Sequence, residues 1–157
     1  MMSKVFFTLL MVFAVQGCFF DSKNQEEEAK ANQECSKLTT LDDLTFFLDG
    51  YAPAEVSSIV VKEIAPNSDT NVYYVSAGLC DSKIVSYFIA TLSHKVDIRS
   101  KFLITVRDEV PHMVENIVIG AKPRASMRDV EYECGIIDVT VDGKKAGEGR
   151  VTIRKRW

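Results

Sequence analysis

The chain of 157 residues carries 22 acidic and 19 basic side chains, for a formal net charge of −3. This length suits one domain with a buried core and is short for two. An acidic chain lacks the dense basic surface that phosphate binding needs, so we expect no nucleic-acid partner.

The first seventeen residues have the layout of a secretory signal peptide. The cation Lys4 precedes an apolar run at residues 5–15, and the small residue Gly17 stands just before Cys18. A helix of this run would rise only about 16 Å, whereas a membrane-spanning helix must cross roughly 30 Å of hydrocarbon. We therefore predict that residues 1–17 are a signal peptide.

The stretch Val15-Gln16-Gly17-Cys18 resembles the lipobox of bacterial lipoproteins. The family usually has Leu where Val15 stands and a small residue where Gln16 stands. The resemblance implies that Cys18 is lipidated and anchors the chain in the bacterial cell envelope. In that family an Asp after the cysteine favours the inner membrane, so Phe19 favours an outer-membrane lipoprotein facing the periplasm or the cell surface. The alternative is an ordinary cleaved signal in which Cys18 has no role.

Residues 18–37 are predicted to be a lipidated, polar tether. The stretch "DSKNQEEEAKANQECSK" has almost no large apolar side chains and is mostly negative, so it cannot bury enough surface to offset the entropy of ordering. Its Glu, Ala, Lys and Gln residues nevertheless allow part of it to be helical.

A short helix is predicted next, with Thr40 as its cap and Gly50 and Pro53 as its end. Four apolar residues would share one face of this helix: Leu41, Leu44, Phe47 and Leu48.

From Val56 onward the hydrophobic period falls to two. The runs "VSSIVVKEI", "NVYYVSAGL", "DIRSKFLITVR" and "HMVENIVIGA" are rich in β-branched and aromatic residues, and polar turn clusters separate them. We predict that residues 38–157 form a single, mainly β domain. Its expected architecture is an antiparallel sandwich or barrel-like fold of about seven to eight strands.

Residues 82–94 and the C-terminal segment of this domain carry further structural signals. Residues 82–94 fit either period; their composition favours a strand, and the helical alternative would make the fold α+β. Residues 137–141 are predicted to pair with residues 151–153 in a hairpin, across a turn that Asp142-Gly143 begins.

Three cysteines remain once Cys18 is assigned to the lipid: Cys35, Cys80 and Cys134. In an oxidising envelope we expect one disulfide. The pair Cys80–Cys134 is favoured because both residues stand at the ends of predicted strands. A bridge that uses Cys35 is the alternative, and it would join the tether to the body of the domain.

No catalytic pattern stands out, so we expect no enzyme, metal or cofactor. The chain has no GxSxG, HExxH or CxxC motif. Glu109, His112 and Glu115 are spaced to share one side of a helix as metal ligands, but Pro111 and the β-like neighbouring runs argue against a helix there. We interpret this stretch as a polar turn between two strands.

Basic residues concentrate at the C-terminus, where "RVTIRKRW" ends the chain. With Val151 and Ile153 facing the core, the arginines of this strand would share its outer face. The candidate partner surface consists of Arg150, Arg154, Arg156 and Trp157.

Two classes of function fit these features. The first is a non-catalytic, membrane-anchored module that binds an envelope protein, as an assembly or secretion accessory or as an inhibitor or immunity factor. The alternative is a carrier of a small apolar ligand, such as a lipid, in a cavity of the β domain.

Overall fold

The computed structural model describes most of the chain beyond the predicted signal peptide. The predicted signal peptide at residues 1–17, the lipidation site Cys18 and the terminal Trp157 lie outside the described residues. The described segments are residues 24–81, 86–125, 130–146 and 149–156.

Within these segments the chain forms one helix, α1, at residues 24–35, followed by twelve strands. The strands are β1 (Thr40–Leu41), β2 (Leu44–Asp49), β3 (Ile59–Ile64), β4 (Thr70–Val75), β5 (Ala77–Asp81), β6 (Ser86–Leu92), β7 (Val96–Asp97), β8 (Lys101–Val106), β9 (His112–Ala125), β10 (Val130–Val141), β11 (Lys144–Lys145) and β12 (Val151–Arg154). The predicted mainly β class is confirmed, but the strands are more numerous than the seven or eight expected.

The strands form two large sheets and one small pair. One sheet has six strands in the order β11-β10-β9-β8-β3-β4, the other has four in the order β12-β2-β6-β5, and β1 pairs with β7. Pairing is antiparallel except between β12 and β2, which run parallel. Neither large sheet closes on itself, so the barrel-like alternative is wrong.

Both large sheets bury their apolar faces in one shared core. The four-stranded sheet contributes side chains such as Phe46 and Ile153, and the six-stranded sheet contributes Ile59 and Phe102. Each of these four side chains is fully buried. As predicted, Val151 joins Ile153 in the core, so β12 presents alternate residues to the core and to the surface.

The helix predicted after Thr40 is wrong, because residues 44–49 form strand β2. Leu44, Phe46 and Leu48 are buried at a spacing of two, and β2 lies between β12 and β6 in its sheet. A run of six residues that is rich in apolar side chains fits both periods, and here pairing on both edges decides for the strand. The helix of this region is α1, which lies earlier, in the predicted tether.

The helical alternative for residues 82–94 is also wrong over the part that the structure describes. Residues 86–92 form β6, which pairs antiparallel with β2 on one side and with β5 on the other. The strand favoured from composition is therefore confirmed there. The α+β alternative, which required a helix in this segment, is wrong.

The predicted C-terminal hairpin is only half right. Asp142 and Gly143 both have positive φ, 51° and 76°, and form the expected tight turn. The returning strand is the two-residue β11, however, and β12 crosses to the other sheet, where Val151 aligns with Phe46. The chain bends at Gly149, where φ is 59°. Any other residue at this position would have a Cβ atom that collides with the Ile136 carbonyl oxygen.

The favoured disulfide Cys80–Cys134 is wrong, and the alternative partner Cys35 is the one that pairs with Cys134. Cys134 lies on β10 and Cys80 on β5, in different sheets, and Cys80 is a free thiol. α1 lies against the β9–β10 pair, where the Asn32 side-chain oxygen accepts a hydrogen bond from the Ala121 N–H at 2.8 Å. The described part of the predicted tether is thus joined to the six-stranded sheet.

Candidate functional site

A groove of about 590 Å³ lies between β11 and β12, and its lining is mostly basic. Six of its ten described lining residues carry a positive charge, and one carries a negative charge. We call it the cationic groove, and its lining residues are Val141, Asp142, Lys144, Lys145, Ala146, Arg150, Thr152, Arg154, Lys155 and Arg156.

The fold builds this groove from two stretches that are close in sequence but belong to different sheets. The tight turn at Asp142-Gly143 places Lys144 and Lys145 at the edge of the six-stranded sheet. The crossover through Gly149 places β12 at the edge of the four-stranded sheet. Because β12 alternates, its basic residue Arg154 stays exposed while the flanking Ile153 is buried.

The three arginines predicted to form a partner surface all line the groove: Arg150, Arg154 and Arg156. Trp157, the fourth predicted residue, lies outside the described residues. Sequence reasoning missed Lys144, Lys145 and Lys155, which complete the set. Lys144 and Lys145 directly follow the Asp142-Gly143 turn. Had the sequence been interpreted as a hairpin with a two-residue loop, their position beside the C-terminal arginines could have been predicted.

Most of the groove's cations also have an acidic neighbour. Four of them form ion pairs: Lys145 with Asp138 at 3.1 Å, Arg154 with Asp49 at 3.6 Å, Lys155 with Glu55 at 2.6 Å and Arg156 with Asp142 at 2.8 Å. The Lys155–Glu55 pair is half-buried and holds the residue that follows β12 against Glu55. The Arg154–Asp49 pair is highly exposed, and water and salt weaken such pairs to at most about 1 kcal/mol. Arg154 is therefore available to an anionic ligand.

Two cations of the groove, Lys144 and Arg150, have no carboxylate partner among the described residues. The Arg150 guanidinium lies 5.4 Å from the centre of the Phe47 ring. A cation over an aromatic face is positioned without losing its charge. Among the described residues, Lys144 and Arg150 are therefore the groove cations whose positive charge no carboxylate compensates.

A partly buried polar network connects this groove to the core. His112 is only 1% exposed, and its Nδ1 donates to the Asp142 carboxylate at 2.7 Å. Its Nε2 lies 3.3 Å from the Tyr51 hydroxyl, which donates to Glu109 at 3.2 Å. The second oxygen of Asp142 accepts from Arg156 and from the Met113 N–H. Asp142 thus links the buried histidine to a cation of the groove.

The environment sets the charge states within this network. Burial alone would raise the pKa of Asp142, but hydrogen bonds from Arg156 and His112 outweigh it and lower that pKa below its usual range. Burial, reinforced by the neighbouring Glu109 carboxylate, raises the pKa of Tyr51. Asp142 is therefore a carboxylate and Tyr51 a neutral phenol at neutral pH.

The turn predicted between two strands lies at residues 107–111, between β8 and β9, but it does not include His112. His112 begins strand β9 and is buried, and sequence spacing with Glu109 and Glu115 did not indicate its real partners, Tyr51 and Asp142. Both ring nitrogens already lie within hydrogen-bonding distance of protein groups, so neither is left for a substrate. We assign His112 a structural role in holding Asp142.

In the part of the chain that the structure describes, no three or more His, Cys, Asp or Glu side chains are grouped so that they could hold a metal ion. No helix in that part of the chain is long and apolar enough to cross a membrane.

Comparison with protein-family models, with curated proteins and with solved structures found no match. The groove's geometry and charge are therefore the basis for assigning a function.

Proposed function

We propose that the protein is a lipid-anchored envelope module that binds an acidic partner protein through the cationic groove, without catalysis. The observation that carries this proposal is the convergence of six cations on one groove, whose described lining holds a single carboxylate. That concentration occurs in a chain whose net charge is −3. A local patch that opposes the overall charge orients an acidic partner as it approaches and speeds association.

The predicted anchor fits this role. Lipidation at Cys18 would hold the chain at the envelope membrane, and restriction to a surface raises the effective concentration of a partner there. Beyond the lipid, α1 is joined to the β domain by the Cys35–Cys134 disulfide. The two packed sheets, which we interpret as the predicted sandwich, then provide a rigid support for the groove.

The groove's chemistry favours this function over the lipid-carrier alternative. A carrier of an apolar ligand needs an enclosed and mainly apolar cavity. The cationic groove is half open to solvent, and eight of its ten described lining residues are charged or polar, although the alkyl parts of the basic side chains add apolar surface. Between the sheets, large side chains such as Phe46 and Phe102 pack in the core.

Charge reversal in the groove tests the proposal. The variant Lys144→Glu with Arg150→Glu changes the two cations that have no carboxylate partner among the described residues, so it breaks none of the four ion pairs. Lys62→Glu with Lys95→Glu is the matched control, because both lysines are exposed and lie outside the groove. The full chain in detergent serves as bait in envelope extract, since residues 38–157 alone would lack Cys35.

Wild type and control should capture the same acidic protein, and the groove variant should lose at least nine tenths of it. Added salt should release the protein from the wild-type bait, because screening weakens exposed charge interactions. Equal capture by the groove variant would contradict the proposal.

A further inference from the structure

Within the described residues, the cationic groove is bordered by two strand edges that have no neighbouring strand. β12 is the last strand of the four-stranded sheet and pairs there only with β2, and β11 is the last strand of the six-stranded sheet and pairs there only with β10. An edge strand presents a row of N–H and C=O groups that another extended chain can pair with. The groove therefore offers backbone hydrogen-bonding groups as well as charge.

The charges beside these edges select what can pair there. Proteins commonly place lysines and other charges on edge strands so that foreign strands are repelled. Here Lys144 and Lys145 form β11, and Arg150 and Arg154 flank or end β12, so the charges beside both edges are positive. Positively charged edges repel a second copy of the same strand and attract a strand with acidic side chains.

The alternation of β12 also indicates the side-chain pattern of its neighbour. Thr152 and Arg154 lie on the outer side of β12, while Val151 and Ile153 lie on the core side. Side chains of a strand added alongside would alternate in the same way. Acidic residues would meet Arg154 on the outer side, and apolar residues would continue the core on the inner side.

We propose that the partner's binding element is an extended segment with alternating acidic and apolar residues, which adds to the open edge of β12 as a fifth strand of that sheet. This inference rests on the proposed function and specifies how the acidic partner binds. The four residues of β12 span about 13 Å, so a matching segment needs about four to six residues.

Backbone methylation of a probe peptide tests strand addition directly. The probe is an acetylated, amidated octapeptide of alternating Glu and Val, titrated against the full chain in detergent. Successive backbone N–H groups of a strand point to opposite edges, so methylating only the Glu nitrogens or only the Val nitrogens blocks one edge at a time. One methylated peptide should bind at least tenfold more weakly than the parent, and the other should bind within about threefold of it.

Hydrogen exchange supplies the second readout. On binding of the parent peptide, those β12 amides that do not pair with β2 should exchange at least tenfold more slowly. The amides of β4, the strand at the opposite end of the six-stranded sheet, should be unchanged. Absence of saturable binding, or equal affinities for the two methylated peptides, would overturn strand addition.

These outcomes can be separated from failure of the proposed function. If both methylated peptides bind equally and Lys144→Glu with Arg150→Glu abolishes both, the groove binds acidic chains without strand addition. If an octapeptide of alternating Lys and Val binds as tightly as the Glu-Val peptide, the groove does not select acidic partners, and both proposals are wrong.

Discussion

Removing the Cys35–Cys134 disulfide should lower the free energy of unfolding by about 2–5 kcal/mol. The two cysteines are 99 residues apart, so the cross-link restricts a large part of the unfolded chain. The chain-entropy relation for a loop of about 100 residues gives about 4.7 kcal/mol at 25 °C. Measured effects often fall below this value, because the unfolded chain keeps some residual structure.

Urea unfolding of the double variant Cys35→Ser with Cys134→Ser measures this effect. Cys80→Ser is the matched control, because it removes a cysteine that is not cross-linked. The midpoint should fall in the double variant and stay close to that of wild type in the control. The dependence on urea should also steepen, because an unfolded chain without the cross-link exposes more surface.

A loss below about 1 kcal/mol in the double variant would refute this reasoning, since it would mean that the cross-link restricts little of the unfolded chain. Peptide mapping without reduction checks the connectivity itself. It should recover Cys35 and Cys134 in one linked pair and Cys80 as a modifiable thiol. A linked Cys80–Cys134 pair would restore the pairing first expected from the sequence and contradict the structure.

Three further changes test other parts of the account. Asp142→Asn should lower the free energy of unfolding in urea by about 1–3 kcal/mol, because buried His112 loses a charged acceptor. The pKa of Asp142 is lower in the folded protein than its ordinary value of 3.8, so the stabilisation by its carboxylate is complete above pH 3.8 and is lost as pH falls through the folded pKa. The deficit of the variant should therefore shrink over that range, and a deficit that stays constant down to pH 2 would refute this. Val151→Asp should abolish the cooperative transition seen by circular dichroism, because it places an unpaired charge in the core, whereas Thr152→Asp on the outer side should fold. Cys18→Ser should move the chain from the membrane fraction to the soluble fraction, and continued sedimentation with membranes would rule out the lipid anchor.

The β class could be predicted from the sequence because alternation is a local signal. In β12, Val151 and Ile153 are buried while Thr152 and Arg154 lie on the outer side, a period of two that is visible in the letters alone. The helix expected after Thr40 failed for a physical reason. Leu44 and Leu48 fit a helical face as well as a strand, and only pairing with distant β6 and β12 decides between them.

Long-range contacts account for the remaining errors. No local pattern indicates that Cys134 meets Cys35 instead of Cys80, because that choice depends on which sheet each cysteine joins. The same holds for His112, whose partners Tyr51 and Asp142 stand 61 and 30 residues away. By contrast, Arg150 and Arg154 were predictable, because the buried alternate residues of β12 leave them at the surface.

The most direct test of the central claim is the association rate of the captured acidic protein with immobilised full chain, measured over a series of salt concentrations. We expect Lys144→Glu with Arg150→Glu to slow association at least tenfold at low salt and to flatten its salt dependence, whereas Lys62→Glu with Lys95→Glu should change neither by more than about twofold. Equal association rates for wild type and the groove variant at every salt concentration would contradict the claim that the cationic groove is the binding site.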